Sequence, residues 1–228
     1  MGCTNSRGCS MPIRQVFERS VQVINDDLLR LSSMADRAIA DSVKALAERN
    51  ADLARQVSNN DAALNEARYA IEERCYTLIA TQQPNATDLR VIVGAVSVAT
   101  NLERIGDHAA GVARLTLRMA DQPLLKPLVE IPQMAEMGRE MVKGAVDAFL
   151  RHDAVLAEQI VRRDRDIDRL HDQVYKELLG FMTRDPNTVE RATYLLWVSH
   201  NLERIGDRSM NICERAIYVA TGELKEFN

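Results

Sequence analysis

The heptapeptide Asn-Leu-Glu-Arg-Ile-Gly-Asp occupies residues 101–107 and recurs without a change at residues 201–207. Seven consecutive identities do not arise by chance in a chain of 228 residues, so they indicate an internal duplication. The similarity extends towards the N-terminus, where Asp61 aligns with Asp164 at a slightly larger offset. We therefore expect two related units, each of about one hundred residues.

Composition and proline spacing indicate that both units are helical. The chain has only 10 glycines and 6 prolines, and 4% of its residues are aromatic, which disfavours the many turns of β-sandwiches and barrels. Between the prolines, apolar residues recur at spacings of three and four, which is typical of amphipathic helices. We predict helices at about 14–49, 52–82, 87–120, 133–151, 154–183 and 188–220.

These segments predict an all-α fold made of two tandem, internally duplicated three-helix bundles. The six helices should be antiparallel, because short turns place consecutive helices side by side in opposite directions. We expect the first bundle at residues 12–122 and the second at residues 123–228, with a junction rich in proline. Residues 1–11 are interpreted as a disordered N-terminal extension.

Charge and apolar patterning exclude several kinds of protein. The 29 basic and 33 acidic residues give a net charge of −4, which disfavours binding to nucleic acid or to an anionic membrane surface. No apolar run reaches the roughly 20 residues that a membrane-spanning helix needs. The four cysteines form no Cys-x-x-Cys pair, so we expect a protein of the reducing cytoplasm.

Each copy of the heptapeptide places a glutamate four residues before an aspartate on the same helix face. Like charges at this spacing repel, and the intervening glycine weakens the helix by a further amount of about 1 kcal/mol. A cation shared by both carboxylates would remove the repulsion, and the glycine would allow close approach of a helix or a ligand. The candidate metal ligands are Glu103 with Asp107 and Glu203 with Asp207.

The predicted middle helices carry further acidic residues that could face these pairs. They are Asp164 and Asp168 in the second unit, whereas the first unit has Asp61 with Asn65. His200, Asn211 and Glu214 extend the second pair at helical spacing, but the first pair has Thr100 and Gly111 at the matching positions. We therefore expect the weaker site in the first unit.

Other interpretations of these residues stay open. Arg104 and Asp107 are spaced for a surface ion pair, although exact repetition of the motif favours a functional role. A metal-dependent enzyme, a metal store, or a scaffold whose carboxylates only form hydrogen bonds between helices would also fit. The sequence has no glycine-rich phosphate loop and no nucleophile motif, and its single His-x-x-Glu, at His200 and Glu203, reverses the order found in di-iron bundles. We therefore expect no enzymatic activity.

The duplicated motif resembles the PhoU family of phosphate-signalling regulators. The segment 83–90 before the first copy and the segment 211–214 after the second copy add to the resemblance, which covers nearly the whole chain from about Met11. The resemblance implies two three-helix bundles whose Glu/Asp-x-x-x-Asp motifs bind multinuclear metal clusters of iron or zinc, with magnesium or manganese as alternatives. The positions that match the family pattern are Glu103, Asp107, Glu203, Asp207, Asp164 and Asp168, while Asp61 with Asn65 departs from it.

The resemblance also implies a cellular role. PhoU-family proteins are negative regulators of the phosphate-starvation response that connect the nucleotide-binding subunit of the high-affinity phosphate ABC transporter with a sensor histidine kinase. For this chain it implies a cytoplasmic protein without enzymatic turnover, forming a homodimer and lying at the inner membrane only through its partners. No contact with nucleic acid is expected.

Overall fold

The computed structural model describes residues 13–227, which contain seven α-helices and no β-strand. The all-α prediction is therefore confirmed for this part of the chain, whereas the predicted disordered extension at residues 1–11 lies outside the described residues. The helices are α1 (Ile13–Glu48), α2 (Ala51–Gln82), α3 (Ala86–Met119), α4 (Glu130–Arg151), α5 (Ala154–Val161), α6 (Asp164–Arg184) and α7 (Val189–Thr221), with a short 3-10 helix (Pro186–Thr188) before α7.

The middle helix of the second unit differs from its prediction. The sequence predicts one helix at 154–183, but the chain is interrupted at Arg162 and Arg163, which separate α5 from α6. The amide of Arg163 bonds to the carbonyl of Ile160, and the amide of Asp166 bonds to that of Arg163, so bonds over three residues replace the α-helical pattern. Asp164 and Asp166 then lie in the first turn of α6, where negative charge is favourable.

The turns between the first and second helices show the duplication in detail. Arg49 and His152 both adopt left-handed backbone conformations, with φ of 52° and 54°. In each case the following residue, Asn50 or Asp153, caps the next helix by accepting a hydrogen bond from the backbone amide three residues later. These turns lie 103 residues apart, so the same offset relates Asp61 of α2 to Asp164 of α6.

The two units share one hydrophobic core. The third helices, α3 and α7, pack against each other at the centre, and α1 packs against α4. Leu28, Leu102 and Phe149, from both units, are fully buried in a single continuous cluster. Each such side chain contributes roughly 1.5–3 kcal/mol on burial. Within residues 13–227 there is no helix with the length and apolar character needed to cross a membrane.

The asparagine that begins each heptapeptide joins α3 to α7. Asn201 Oδ1 lies 3.1 Å from His108 Nδ1, and Asn211 Nδ2 donates to Asn101 Oδ1 at 3.4 Å. Gly111 permits the approach of α7, because a Cβ at this position would lie 2.8 Å from Asn201 Oδ1. These contacts give the asparagines a packing role between the units and leave the acidic residues of the motif to face the middle helices.

Candidate metal centres

Each glycine of the heptapeptide lies against the middle helix of its own unit. A Cβ on Gly106 would lie 2.4 Å from Leu64 Cδ2, and a Cβ on Gly206 would lie 2.5 Å from Asp164 Oδ1. Both distances are too short for a real Cβ contact, so the glycines permit α2 to approach α3 and α6 to approach α7. The close approach predicted from the sequence is thus a packing contact, and in the second unit the group that approaches is a carboxylate.

The predicted ligands form two groups, which we name by their members. The first acidic site contains Asp61 of α2 with Glu103 and Asp107 of α3. Asp107 raises the pKa of both Asp61 and Glu103, in addition to the effect of burial, so the three carboxylates lie close enough to interact. The second acidic site contains Asp164 and Asp168 of α6 with Glu203 and Asp207 of α7.

Asp164 is the most perturbed carboxylate of the second acidic site. Its side chain is buried, with 6% of the residue exposed. Burial raises its pKa to about 7, and the charges of Asp168, Asp207 and Glu203 act in the same direction. Its Oδ1 atom has no hydrogen-bond partner within residues 13–227. A buried carboxylate in this position lacks a compensating positive charge.

The other members of the second acidic site show the same electrostatic pattern. Burial and then the charge of Asp207 raise the pKa values of both Asp168 and Glu203. The imidazoles of His171 and His200 oppose the rise for Glu203. His200 Nδ1 lies 3.2 Å from Glu203 Oε2, without hydrogen-bond geometry. Two histidines therefore belong to the surroundings of this site.

The first acidic site has more arginines around it than the second, where Arg204 pairs with Asp207. Glu103 is buried, with 6% exposed, and burial followed by Asp107 raises its pKa while Arg104 and Arg68 oppose the rise. Asp61 has a raised pKa through burial and Asp107, opposed by Arg114. Asn65 at the Asp168 position donates to the Asp61 carbonyl at 3.3 Å and adds no charge to the site.

The ion pairs proposed as an alternative explanation also form. Arg104 Nη1 lies 3.1 Å from Asp107 Oδ2, and Arg204 Nη1 lies 2.5 Å from Asp207 Oδ2. They engage the aspartate of each motif and do not reach the carboxylate of Asp164. A surface ion-pair pattern therefore explains one residue of each motif and leaves the buried carboxylates unexplained.

Comparison with known proteins gives the family. A family model described as the PhoU domain matches residues 28–116 and again residues 131–216, so both units match the same model. The chain belongs to the PhoU family. A Clostridium acetobutylicum protein named phosphate-specific transport system accessory protein PhoU homolog is 35% identical over 216 residues, which span 94% of this chain and 99% of that protein.

Two solved PhoU structures share the fold. The crystal structure of PhoU from Pseudomonas aeruginosa has a TM-score of 0.86 and 33% identity, covering 91% of this chain and all of that one. The phosphate transport system regulatory protein PhoU from Streptococcus pneumoniae gives the same TM-score at 31% identity, covering 92% of this chain and all of that one. The chain therefore shares its duplicated helical fold with both solved PhoU structures.

The donor chemistry of both acidic sites fits the metal centres expected for the PhoU family. In each site, neighbouring carboxylates raise the pKa of a buried one, Glu103 or Asp164, and a bound cation would neutralise their charge. In this conformation, no three His, Cys, Asp or Glu side chains of the described residues are spaced to enclose one ion. Binding of one ion by three of these side chains would therefore require them to move.

The residues predicted to extend the second acidic site have two different roles. His200 stays beside Glu203, but Glu214 accepts a hydrogen bond from the backbone amide of Phe227 at 3.0 Å. Phe227 and Lys225 line a cavity of about 310 Å³ together with Asp164 and Asp168. The C-terminal segment thus covers one flank of the second acidic site, which the sequence did not predict.

His171 and Ser199 are the residues that sequence reasoning missed. His171 Nδ1 lies 3.1 Å from Ser199 Oγ, and the ring centroids of His171 and His200 are 6.2 Å apart. His171 was not among the predicted site residues, because no recognised motif surrounds it. Alignment of the units could have found them, since Arg68 occupies the position of His171 and Thr100 that of His200.

Proposed function

We propose that this protein regulates phosphate uptake as a negative regulator of the phosphate-starvation response. The observation that carries the proposal is the match of both units to the PhoU domain, together with relatives named phosphate-specific transport system accessory proteins over almost their whole length. In this role the protein acts by contact with partners and without enzymatic turnover. Two related bundles joined at α3 and α7 offer two related faces for such contacts.

The proposed partners are the nucleotide-binding subunit of the high-affinity phosphate ABC transporter and its sensor histidine kinase. The protein would connect them as a homodimer in the cytoplasm, lying at the inner membrane through these partners. The net charge of −4 supports this indirect association, because an acidic protein is repelled by anionic lipid headgroups. Nucleic acid is not a proposed partner for the same electrostatic reason.

The proposed cofactor is a metal cluster held by the acidic sites, with iron or zinc as first candidates and manganese or magnesium as alternatives. Glu103, Asp107 and Asp61 would hold metal in the first unit. Four carboxylates would hold it in the second: Glu203, Asp207, Asp164 and Asp168. The bound cation would neutralise carboxylates that otherwise repel, and would tie the middle helix of each unit to its third helix.

Gene deletion tests the regulatory role. Removing the gene should make phosphate-regulated genes active at high external phosphate, and a plasmid copy should restore repression. Reporter expression that stays repressed at high phosphate in the deletion strain would contradict the role.

Elemental analysis tests the metal proposal separately. Protein purified without an affinity tag should contain metal, and the Glu203→Ala/Asp207→Ala variant should contain less. The matched control is Asp52→Ala, since this exposed acid of α2 pairs with Arg55 at 2.6 Å, away from both sites. Equal metal content in wild type and the double variant would reject the metal centre while leaving the regulatory role to be judged by the deletion strain.

A further inference from the structure

The single tryptophan of the chain lies at the surface where α3 packs against α7. Trp197 is 50% exposed, although an indole ring is among the side chains that gain most from burial. Three residues of α3 and one further residue of α7 line a cavity of about 380 Å³ beside it: Arg114, Leu115, Arg118 and His200. We call these five residues the seam face, because they lie along the contact between the two units.

Tyr194 orders two members of the seam face. Its ring centroid is 6.4 Å from that of Trp197 in an edge-to-face arrangement, and Arg118 Cζ lies 5.9 Å from the Tyr194 ring centroid. The Tyr194 hydroxyl donates a hydrogen bond to Glu190 at 2.9 Å, which fixes the ring in turn. Side chains that are already ordered lose less conformational entropy when a partner covers them.

The arginines of the seam face lack partners of opposite charge. Arg104, in the preceding part of α3, pairs with Asp107 at 3.1 Å. Within residues 13–227, by contrast, neither Arg114 nor Arg118 forms an ion pair. Arg114 acts on Asp61 only through space, where it opposes the effect of burial on the pKa of that carboxyl. Two guanidinium groups beside an exposed indole are therefore available to an acidic group from outside the chain.

Positive charge continues along the α3–α7 contact from the seam face. His108 Nδ1 lies 3.1 Å from Asn201 Oδ1, and Asn201 lines the same cavity. Burial lowers the pKa of His108, and the charges of Arg208 and Arg204 lower it further. The Nε atom of Arg208 is buried and has no hydrogen-bond partner in the described part of the chain. This is a local positive region on a chain whose net charge is −4.

The duplication supplies a second face for comparison, with the roles of α3 and α7 exchanged. The offset of 100 residues pairs Trp197 with Ser97, Arg114 with Glu214, and Arg118 with Tyr218. Glu214 is buried and accepts a hydrogen bond from the backbone amide of Phe227, so its charge is engaged within the chain. Packing of α3 against α7 therefore requires neither an exposed tryptophan nor two unpaired arginines.

We propose that the seam face is a docking site for an acidic segment of a partner protein. Carboxylates of the segment pair with Arg114 and Arg118, and an adjacent apolar side chain packs on Trp197. Tryptophan and arginine are enriched among the residues that contribute most to the affinity of protein interfaces. Because the rest of the chain is acidic, attraction to such a segment is concentrated at this face, which fixes where it docks.

Charge and surface chemistry favour this occupant over two others. Nucleic acid would meet the repulsion of a chain with net charge −4. A small anion would bind the guanidinium groups and leave the indole of Trp197 exposed. The inference rests on the proposed function for the identity of the partners, which are the nucleotide-binding subunit of the transporter and the sensor kinase.

Fluorine NMR tests the docking directly, since protein labelled with fluorotryptophan carries its label at Trp197 alone. The purified nucleotide-binding subunit and the cytoplasmic region of the kinase are added in turn, and calorimetry measures binding in parallel. We expect one of them to shift the Trp197 resonance and to protect it from a soluble paramagnetic agent. Binding in calorimetry without either change would overturn the docking site and leave the proposed partners standing.

Two matched double variants test which residues contribute. Trp197→Ala/Arg118→Ala should weaken binding of that partner by about 30-fold or more, as expected for residues at the energetic centre of an interface. The control, Ser97→Ala/Tyr218→Ala, changes the corresponding residues of the other face and should keep the wild-type affinity. Circular dichroism confirms that both variants are folded. Wild-type affinity in Trp197→Ala/Arg118→Ala would overturn the inference.

Salt dependence tests whether the docked segment is acidic. The affinity of the wild type should fall as salt is raised, and Arg114→Gln/Arg118→Gln should bind more weakly with a smaller salt dependence. An unchanged salt dependence in this variant would reject an acidic segment. A saturable shift of the Trp197 resonance by inorganic phosphate, with no effect of either protein, would reassign the face to a small anion and overturn the inference.

Failure of the proposed partners has a separate signature. If neither protein binds the wild type in calorimetry, the proposed partners and the docking site are rejected together. The deletion strain then still decides whether the protein represses phosphate-regulated genes.

Discussion

The two acidic sites have identical heptapeptides on their third helices and opposite surroundings on their middle helices. In the first site, Arg68 of α2 and Arg114 of α3 oppose the raised pKa values of its carboxylates, in addition to Arg104, whose counterpart Arg204 acts in the same way on Glu203. In the second site the carboxylate of Asp164 is buried among three other acids, with two histidines nearby. The repeated motif therefore places a glutamate and an aspartate at matching positions of both third helices. The charged and polar groups around these carboxylates differ between the two units.

Substitutions in the shared core should have the largest effect on stability. They test whether the two units contribute equally to it. Leu102 and Leu202 occupy matching positions and are 0% and 1% exposed. Leu102→Ala and Leu202→Ala should each lower the free energy of unfolding by about 2–5 kcal/mol, because each leaves a cavity in the core. Urea denaturation followed by circular dichroism should show one transition in both variants. Two separated transitions would mean that the units unfold independently.

The pH dependence of stability sharpens the contrast between the sites. The pKa of Asp164 is about 7 in the folded protein against an ordinary value of 3.8, so the folded state binds the proton more tightly. In metal-free protein the stabilising effect of this proton is complete below about pH 4 and is lost as pH rises through 7. Thermal melting in chelator should therefore show stability falling across this window.

The Asp164→Asn variant should make that profile flatter and raise the melting temperature at pH 8, because the amide cannot acquire the buried charge. Asp168, Glu203 and Asp207 face the same site, so a smaller slope should remain. The control is Asp166→Asn, an exposed residue of the same helix. A profile as steep as that of the wild type would assign the pH dependence to other groups.

Alanine substitutions at the two motif glycines should have the smallest effects on stability, and the two effects should differ. Gly106→Ala pushes against Leu64, a buried core side chain, and should destabilise by about 1–3 kcal/mol, the usual cost of overpacking. Gly206→Ala pushes against a carboxylate oxygen of Asp164, whose side chain can turn away. The gain in helix propensity of about 1 kcal/mol should then offset most of the cost. Equal destabilisation in chemical denaturation would refute this difference.

Helix positions were largely predictable because apolar periodicity and prolines reflect local physics. The second helix was predicted at 52–82 and is Ala51–Gln82. Helix α4 begins at Glu130, three residues before its prediction, because Pro132 lies in the first turn, where a missing amide hydrogen costs nothing. The interruption at Arg162 was hidden, since the apolar spacing continues across it from Ile160 to Ile167.

The carboxylates of the candidate sites could be named from the sequence, whereas their surroundings could not. Spacing within one helix puts Glu203 and Asp207 on one face, but only the packing of α6 on α7 buries Asp164. The contact between His171 and Ser199 joins α6 to α7, and no local pattern encodes it. His171 could have been found by aligning the middle helices at an offset of 103 residues and the third helices at an offset of 100.

Elemental analysis of two matched double variants is the most direct test of the central claim, that the two sites are neutralised in different ways. Glu103→Ala/Asp107→Ala and Glu203→Ala/Asp207→Ala remove the same residues from the two units. After loading with limiting Zn²⁺ and dialysis, we predict that the first variant retains more zinc than the second, because the second site has one more carboxylate than the first. Equal loss from both variants, or loss from the first alone, would contradict the account.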